Sequence, residues 1–383
     1  MKYWHLFLLL TFPIQTIAQI DDIHWAVRKN NVGTINKLLK RNPNVVHERD
    51  LRTKCTPLHI AAEYGSLAAA KLLIEAHANI NAVTDQEGTP LDVAAAHGHN
   101  KIADLLIKSG AEADAFTYAA LGKSGLALQA ENINATNKQG ATMLFLATRN
   151  GHADTVKRLL NRKANPNITN NENTSPLELA VSQADTILIT LLLAGGADPL
   201  LENELNQNML HLSPNSEVAA IFLAFEADTN KRDVEDATPL HRAIEQRNLE
   251  LVQLLIQFNA KVDTTDGRGE TPLHIAARLD QAPIAEFLLK QGADANMTTD
   301  SGLTALHICS MSKSQPKRVP PLLLKHGADV NAQTPDGETP LDFEEEAIKQ
   351  WVGLDLDESF MTRVHETANL YIKHGGKNGH VLK

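Results

Sequence analysis

Only two of the 383 residues are cysteine and only 4 % are aromatic. Two thiols make at most one disulfide, so this is no disulfide scaffold. The shortage of Phe, Trp and Tyr argues against one large central core. The apolar content is mostly Leu, Ala and Ile, which suits thin layers of helix pairs. Lys and Arg number 36 against 46 Asp and Glu, a formal charge of −10. With no basic stripe to follow a phosphate backbone, nucleic acid is not expected as a partner. No nucleophile elbow, phosphate-binding loop, His-Glu-x-x-His helix or catalytic carboxylate pair occurs, so no enzymatic activity and no cofactor are expected.

The one long apolar run lies at the N-terminus. Met1–His5 carries a little positive charge, Leu6–Ile17 is nearly all apolar, and Thr16-Ile17-Ala18 offers small residues where a signal peptidase reads. A secretory signal peptide over residues 1–18, cut after Ala18, is expected. The run is broken by Pro13 and falls well short of the roughly 20 residues that span a bilayer. The expectation is an exported protein, periplasmic or secreted, with no membrane span after cleavage. The alternative is an intracellular adaptor whose N-terminus stays uncleaved.

What is present is repetition. Residues 269–296 read Gly269-Glu270-Thr271-Pro272-Leu273-His274-Ile275-Ala276-Ala277, then Phe287-Leu288-Leu289, then Gly292-Ala293-Asp294-Ala295-Asn296. Thr271 caps a helix whose first position is Pro272. Small Ala276 and Ala277 admit a second, antiparallel helix with an apolar face of Ile284, Phe287 and Leu288. Gly292 ends that helix. One such unit cannot bury its own core and needs neighbours. Thr56 to Thr89, Thr142 to Ser175, Ser175 to Asn208, Thr238 to Thr271 and Thr271 to Thr304 are each 33 residues apart. The gaps of 53 after Thr89, 30 after Asn208 and 35 after Thr304 mark atypical units. Phe116–Asn137 reads as a truncated third repeat without a Thr-Pro start, loosened by Gly122 and Gly125.

These motifs resemble the ankyrin repeat. The resemblance implies an all-α fold, a solenoid of stacked helix pairs with projecting β-hairpin loops. The expected divisions after the signal peptide are an N-terminal capping helix pair at 19–53, ankyrin repeats over 54–336, and a C-terminal capping repeat and tail at 337–383. The last helix is expected from about Asp355 to His374, and Glu344–Glu346 reads as a solvated helix face. The Lys-His-Gly-Gly-Lys ending resembles those of exported bacterial ankyrin proteins.

The resemblance also implies a non-enzymatic, monomeric scaffold that binds a protein on its concave face. Contacts in the family come from the ends of the first helices and from hairpin tips. Carried over, the helix-end column is Tyr64, His97, Asn150, Gln183, Gln246, Leu279 and Ser312. The tip candidates are Gln86, Lys138, Asn171, Arg232, Arg268 and Ser301. Tyr64 and Leu279 stand out as an aromatic and a Leu at positions expected to be exposed. An insert from Met311 to Val319 is expected to carry Lys313, Lys317 and Arg318 into solvent.

Sixteen histidines invite a rival reading as a metal-dependent stress protein or an enzyme. Position accounts for most of them. His59, His211, His241, His274 and His307 hold the fourth place of the Thr-Pro-Leu-His motif, where the resemblance implies a bond to the neighbouring hairpin. His97 and His99 form the only local pair, and no metal site is expected. Cys55 and Cys309 lie about eight repeats apart, too far to pair.

Overall fold

A polar side chain ahead of each first helix sets where a repeat begins. The computed structural model describes residues 22–51, 53–84, 88–312, 317–349 and 358–382. The expected signal peptide, the tip candidate Gln86, Lys313 of the insert and the expected helix start at Asp355 lie outside the described residues. The chain divides into two compact units, one of residues through Pro176 with Thr190–Gly196, the other of Leu177–Ile189 with Ala197–Lys383.

In the first unit, helices Ile23–Arg28 and Val32–Arg41 form the terminal pair. Pro43–His47 then winds a 3-10 turn. Pairs follow at Pro57–Glu63 with Leu67–Glu75, Pro90–Ala96 with Asn100–Lys108, Ala115–Ala120 with Ser124–Ala127, and Met143–Arg149 with Ala153–Asn161. The second unit pairs Met209–Leu212 with Ser216–Leu223, Pro239–Glu245 with Leu249–Gln257, Pro272–Arg278 with Ala282–Lys290, Ala305–Met311 with Pro320–Lys325, and Pro340–Lys349 with Glu358–Lys373. In most second helices a Leu fills the seam between layers, with Phe222 taking that place in Ser216–Leu223. Leu73, Leu106 and Leu159 in the first unit, and Leu255, Leu288 and Leu323 in the second, are fully buried.

The Thr-Pro-Leu-His motif works as a reciprocal cap. The Thr271 N–H and Oγ1 lie 3.0 and 2.8 Å from His274 Nδ1, and the His274 N–H reaches back to Thr271 Oγ1. A backbone N–H can only donate, so Nδ1 accepts and the ring proton sits on Nε2. Nε2 serves the next repeat in His241 at Glu270 O (3.2 Å), His59 at Gly88 O (3.1 Å) and His307 at Glu338 O (3.2 Å), whereas His274 Nε2 is buried without a hydrogen-bond partner. Two repeats carry Asp92 and Asp342 in this place and cap Thr89 and Thr339 with a carboxylate.

The projecting loops contain no named strand among the described residues, only the isolated bridge Thr136–Thr142. Side chains close them instead. Asp266 donates its N–H to Glu270 O, and its carboxylate accepts the N–H groups of Arg268 and Glu270. Asn137, Asn170, Asn203 and Asp233 repeat this pattern, which is why Asn and Asp recur there. Successive tips are tied through the backbone, Gly267 N–H to Glu235 O and Asp300 N–H to Arg268 O. A second tie uses the Asn that ends a repeat. Asn230 accepts from Lys261 N–H at 2.8 Å and donates to Asn259 O at 3.1 Å, and Asn296 does the same with Asp329 and Gly327. Asp263 takes this place one repeat earlier and can only accept, from Asp294 N–H at 3.2 Å.

Three expectations need correction. The third repeat does have a start. Asp114 caps the helix from Thr117 N–H, and Ala115 and Thr117 stand where Pro and His stand elsewhere. What it lacks is the preceding hairpin and all but one turn of its second helix. Lys317 does not project into solvent, whereas the Arg318 side chain stays largely exposed, as expected, while also bonding inward. The Lys317 side chain is buried, with Nζ 2.5 Å from Glu344 and 2.9 Å from Ser310 O. Arg318 bonds Asp280 through its N–H at 2.8 Å and its Nε at 3.2 Å. Glu344 is accordingly buried, not part of a solvated face, because the prolines after the insert turn the chain inward and give it a cation to meet. Burial pushes the Glu344 carboxyl up, against the pull of Lys317.

Three outcomes follow from this frame. Glu344→Leu should cost about 3–5 kcal/mol by leaving Lys317 charged and unpaired, whereas Glu344→Leu with Lys317→Met should return near the parent. Urea unfolding measures both, and a double variant as weak as the single would contradict the pairing. Burial lowers the pKa of His59, His211, His241, His274 and His307. A depressed folded pKa gives stability that is present above the unfolded value, near 6.5, and lost as pH falls. The unfolding midpoint should therefore drop between about pH 7.5 and 5.5, and a level midpoint would contradict the assigned tautomers. Burial, with Asp294 nearby, raises the Asp263 pKa. Asp263→Asn removes that charge and restores a donor, so it should stabilise by about 1 kcal/mol at pH 7. The gain should shrink in acid, where Asp263 becomes neutral, and a loss of stability at pH 7 would refute the assigned tie.

Candidate functional site

The seven-residue first helices end at the same point of their repeats, and the residue there is the one the pattern selects, while Ala115–Ala120 and Met209–Leu212 end earlier. Tyr64, His97, Asn150, Gln246, Leu279 and Ser312 are the C-cap residues of their helices, and Gln183 directly follows Ser182, the last residue of its helix. The frame behind them is tied together from within. His99 donates Nε2 to Glu63 O and His152 donates to Ala120 O, so these two histidines fasten neighbouring layers. A Cβ at Gly65 or Gly122 would strike those rings, and both glycines sit at positive φ.

The column residues differ in what they already hold. Tyr64 is 40 % exposed, with the Arg28 guanidinium 4.4 Å above its ring and bonded to its hydroxyl. His97 is exposed, with Nδ1 on Val93 O, and its ring runs parallel to His99 at 6.3 Å. Asn150 is half-buried and gives its amide to Ala95 O and Ala120 O, both at 2.7 Å. It fastens three layers of the first unit. Gln183 and Gln246 are exposed, whereas Leu279 is half-buried instead of projecting. The next residue, Asp280, is buried and binds Arg318 of the following repeat.

Among the tips, Lys138, Asn171, Arg268 and Ser301 are exposed on their turns. Asn171 also donates to Lys138 O at 2.9 Å. Arg232 is misplaced in the register, lying one residue before the turn that Asp233 closes. Its guanidinium reaches Thr265 O at 2.9 Å.

Two features have no counterpart in the sequence pattern. Arg242 closes on Asp233 and Glu235, each at 2.6 Å, and on Glu245 at 3.0 Å. Burial opposes its charge, but the three carboxylates raise its pKa. One repeat on, an open groove of about 490 Å³ is lined by Arg268, Glu270, Arg278, Leu303, Ile308 and Met311. The tip candidate Ser301 and the column residue Ser312 also line it. Arg278 and Met311 sit one residue before the column and read as ordinary helix ends. The one signal is a Met where other repeats carry a charged or small residue. Among the described residues, no cluster of three or more His, Cys, Asp or Glu is placed to hold a metal ion.

Comparison with known proteins bears on this frame. The family model "Ankyrin repeats (3 copies)" matches residues 23–117, 118–203, 183–266 and 208–299, and "Ankyrin repeat" matches 301–335. A serine/threonine-protein kinase, VIK, of Arabidopsis thaliana is 36 % identical over 66 residues, 17 % of this chain and 15 % of that protein's length. The crystal structure of the ankyrin repeat domain of Bcl-3, a member of the IkappaB protein family, is 30 % identical with a TM-score of 0.46, over 54 % of this chain and 95 % of that one. With reciprocal caps and family matches running from residue 23 to residue 335, this chain belongs to the ankyrin-repeat family.

Proposed function

We propose that this chain is an exported, non-enzymatic scaffold that binds a protein partner on the helix-end side of its repeats, as a monomer and without nucleic acid. Ankyrin repeats are protein-interaction modules, and the fold is typically non-enzymatic. The observation that carries the reading is a contrast between frame and face. The capping histidines, the asparagine ties and the seam leucines recur from layer to layer, with most of their polar groups satisfied by neighbours. The column varies on that constant support, from Tyr64 and His97 through the amides Asn150, Gln183 and Gln246 to Leu279 and Ser312. Variation on a rigid frame suits recognition. Export rests on the apolar run and small-residue site at the N-terminus. Among the described residues, no helix is long and apolar enough to cross a membrane.

Mass spectrometry of the mature protein tests export. A chain beginning at Gln19 is expected, and one beginning at Met1 would overturn it. Photo-crosslinkers at Gln246 and at Lys290, on the second helix of the following repeat, test the face. The partner should be captured from position 246 and not from 290. In the first unit, Tyr64→Ala should weaken a partner held at that unit's own helix ends by more than about 1 kcal/mol. Its effect on stability should stay within about 1 kcal/mol, the worth of an exposed cation–π contact. Capture from 290 alone would place the partner on the opposite side.

A further inference from the structure

We infer that the groove at the eighth and ninth repeats, those that begin at Thr271 and Thr304, seats an acidic segment of the partner protein. A carboxylate would lie between Arg268 and Arg278, with an aliphatic side chain beside it on Leu303, Ile308 and Met311. The inference rests on the reading above that this side of the repeats holds a protein.

The argument begins with an imbalance. Glu270, with a side chain only 11 % exposed, is the one carboxylate between two guanidiniums. It lies 2.9 Å from Arg268 and 3.3 Å from Arg278. The other nearby carboxylate, Asp266, is turned into its loop, where it accepts two backbone N–H groups and meets Arg268 only at 3.4 Å. One carboxylate cannot fill two forks of five N–H donors each. The exposures agree. Arg268 and Arg278 are 66 % and 39 % exposed, against 21 % for Arg242, which three carboxylates close off one repeat earlier. In a chain of net charge −10, two arginines over an open groove, with donors left over after Glu270 and Asp266, are cations available to an incoming carboxylate.

The floor specifies the rest of the occupant. Met311 is 57 % exposed, beside Leu303 and the nearly buried Ile308. A flexible thioether at the mouth adapts to aliphatic shapes. A basic segment would face both arginines, and a wholly polar one would leave the apolar wall wet. An extended stretch alternating acidic and aliphatic residues meets both demands.

The test uses the full chain and three fluorescein-labelled nonapeptides, one alternating Leu and Asp, one Leu and Asn, one Leu and Lys, read by fluorescence anisotropy at low salt. The Asp peptide should bind at least about tenfold more tightly than the Asn peptide, and the Lys peptide should not bind. Added salt should weaken the Asp peptide. Arg268→Gln and Arg278→Gln should each weaken it about three- to tenfold, while Lys290→Gln on the far helix leaves it unchanged. Glu270→Gln should act in the opposite direction, tightening the Asp peptide about threefold by releasing both guanidiniums. It keeps the carbonyl that His241 bonds, so a merely structural role would not produce a gain. Equal binding of the Asp and Lys peptides, no saturable binding of the Asp peptide, or a loss with Glu270→Gln would each overturn the inference. A partner crosslinked at Gln246 while the Asp peptide fails to bind would leave the scaffold reading standing and remove this one.

Discussion

The joint that recurs from repeat to repeat in this molecule is a shared imidazole. In the Thr-Pro-Leu-His repeats one ring nitrogen accepts from the threonine that begins the helix, and the other points at a carbonyl of the next layer, as in His241. A group worth about 1 kcal/mol in a single hydrogen bond thereby fixes a helix start, a hairpin and a layer spacing together. The bond is possible only while the ring is neutral and has one tautomer, which burial enforces. Where the motif carries Asp92 or Asp342, the cap survives but the contact to the next layer changes. Asp92 meets the Thr117 hydroxyl at 2.6 Å, and Asp342 meets the Gly379 N–H at 2.8 Å. These are the places where the following unit is abnormal, the hairpin-less third repeat and the C-terminal tail.

Because the frame satisfies most of its own polar groups, departures from it become informative. The insert of the ninth repeat could have been a tolerated surface loop. Instead, Lys317 enters the interior against Glu344, and Arg318 fastens Asp280 of the eighth repeat. Cys309, fully buried nearby, has its thiol pushed far up by that burial and stays protonated. The cluster costs desolvation and fixes one geometry for the last repeats.

Much of the fold was legible in the sequence because a 33-residue period makes each repeat a check on the next. The helix-end column was placed correctly for the same reason, since all its members end a first helix. Aperiodic features were not legible. Asp114 was missed as a cap because its repeat lacks proline, although Asp is as good a cap as Thr. The buried pair was missed because Lys317 and Glu344 are 27 residues apart and each looks like solvent-exposed charge. The groove was missed because Arg268, Arg278 and Met311 come from a tip and two helix ends, and only stacking brings them together. Arg232 shows the opposite error, a register that falls short of the turn closed by Asp233, across a repeat of 30 residues.

The central claim is that the frame is closed on itself and the helix-end side is left for a partner. Hydrogen exchange of the full chain, alone and with its crosslink-identified partner, tests that most directly. The account predicts added protection at the ends of the first helices and on the hairpin turns, around Gln246, Arg268 and Arg278, with the second helices unchanged. Protection gained instead along Leu249–Gln257 and Ala282–Lys290 would contradict it.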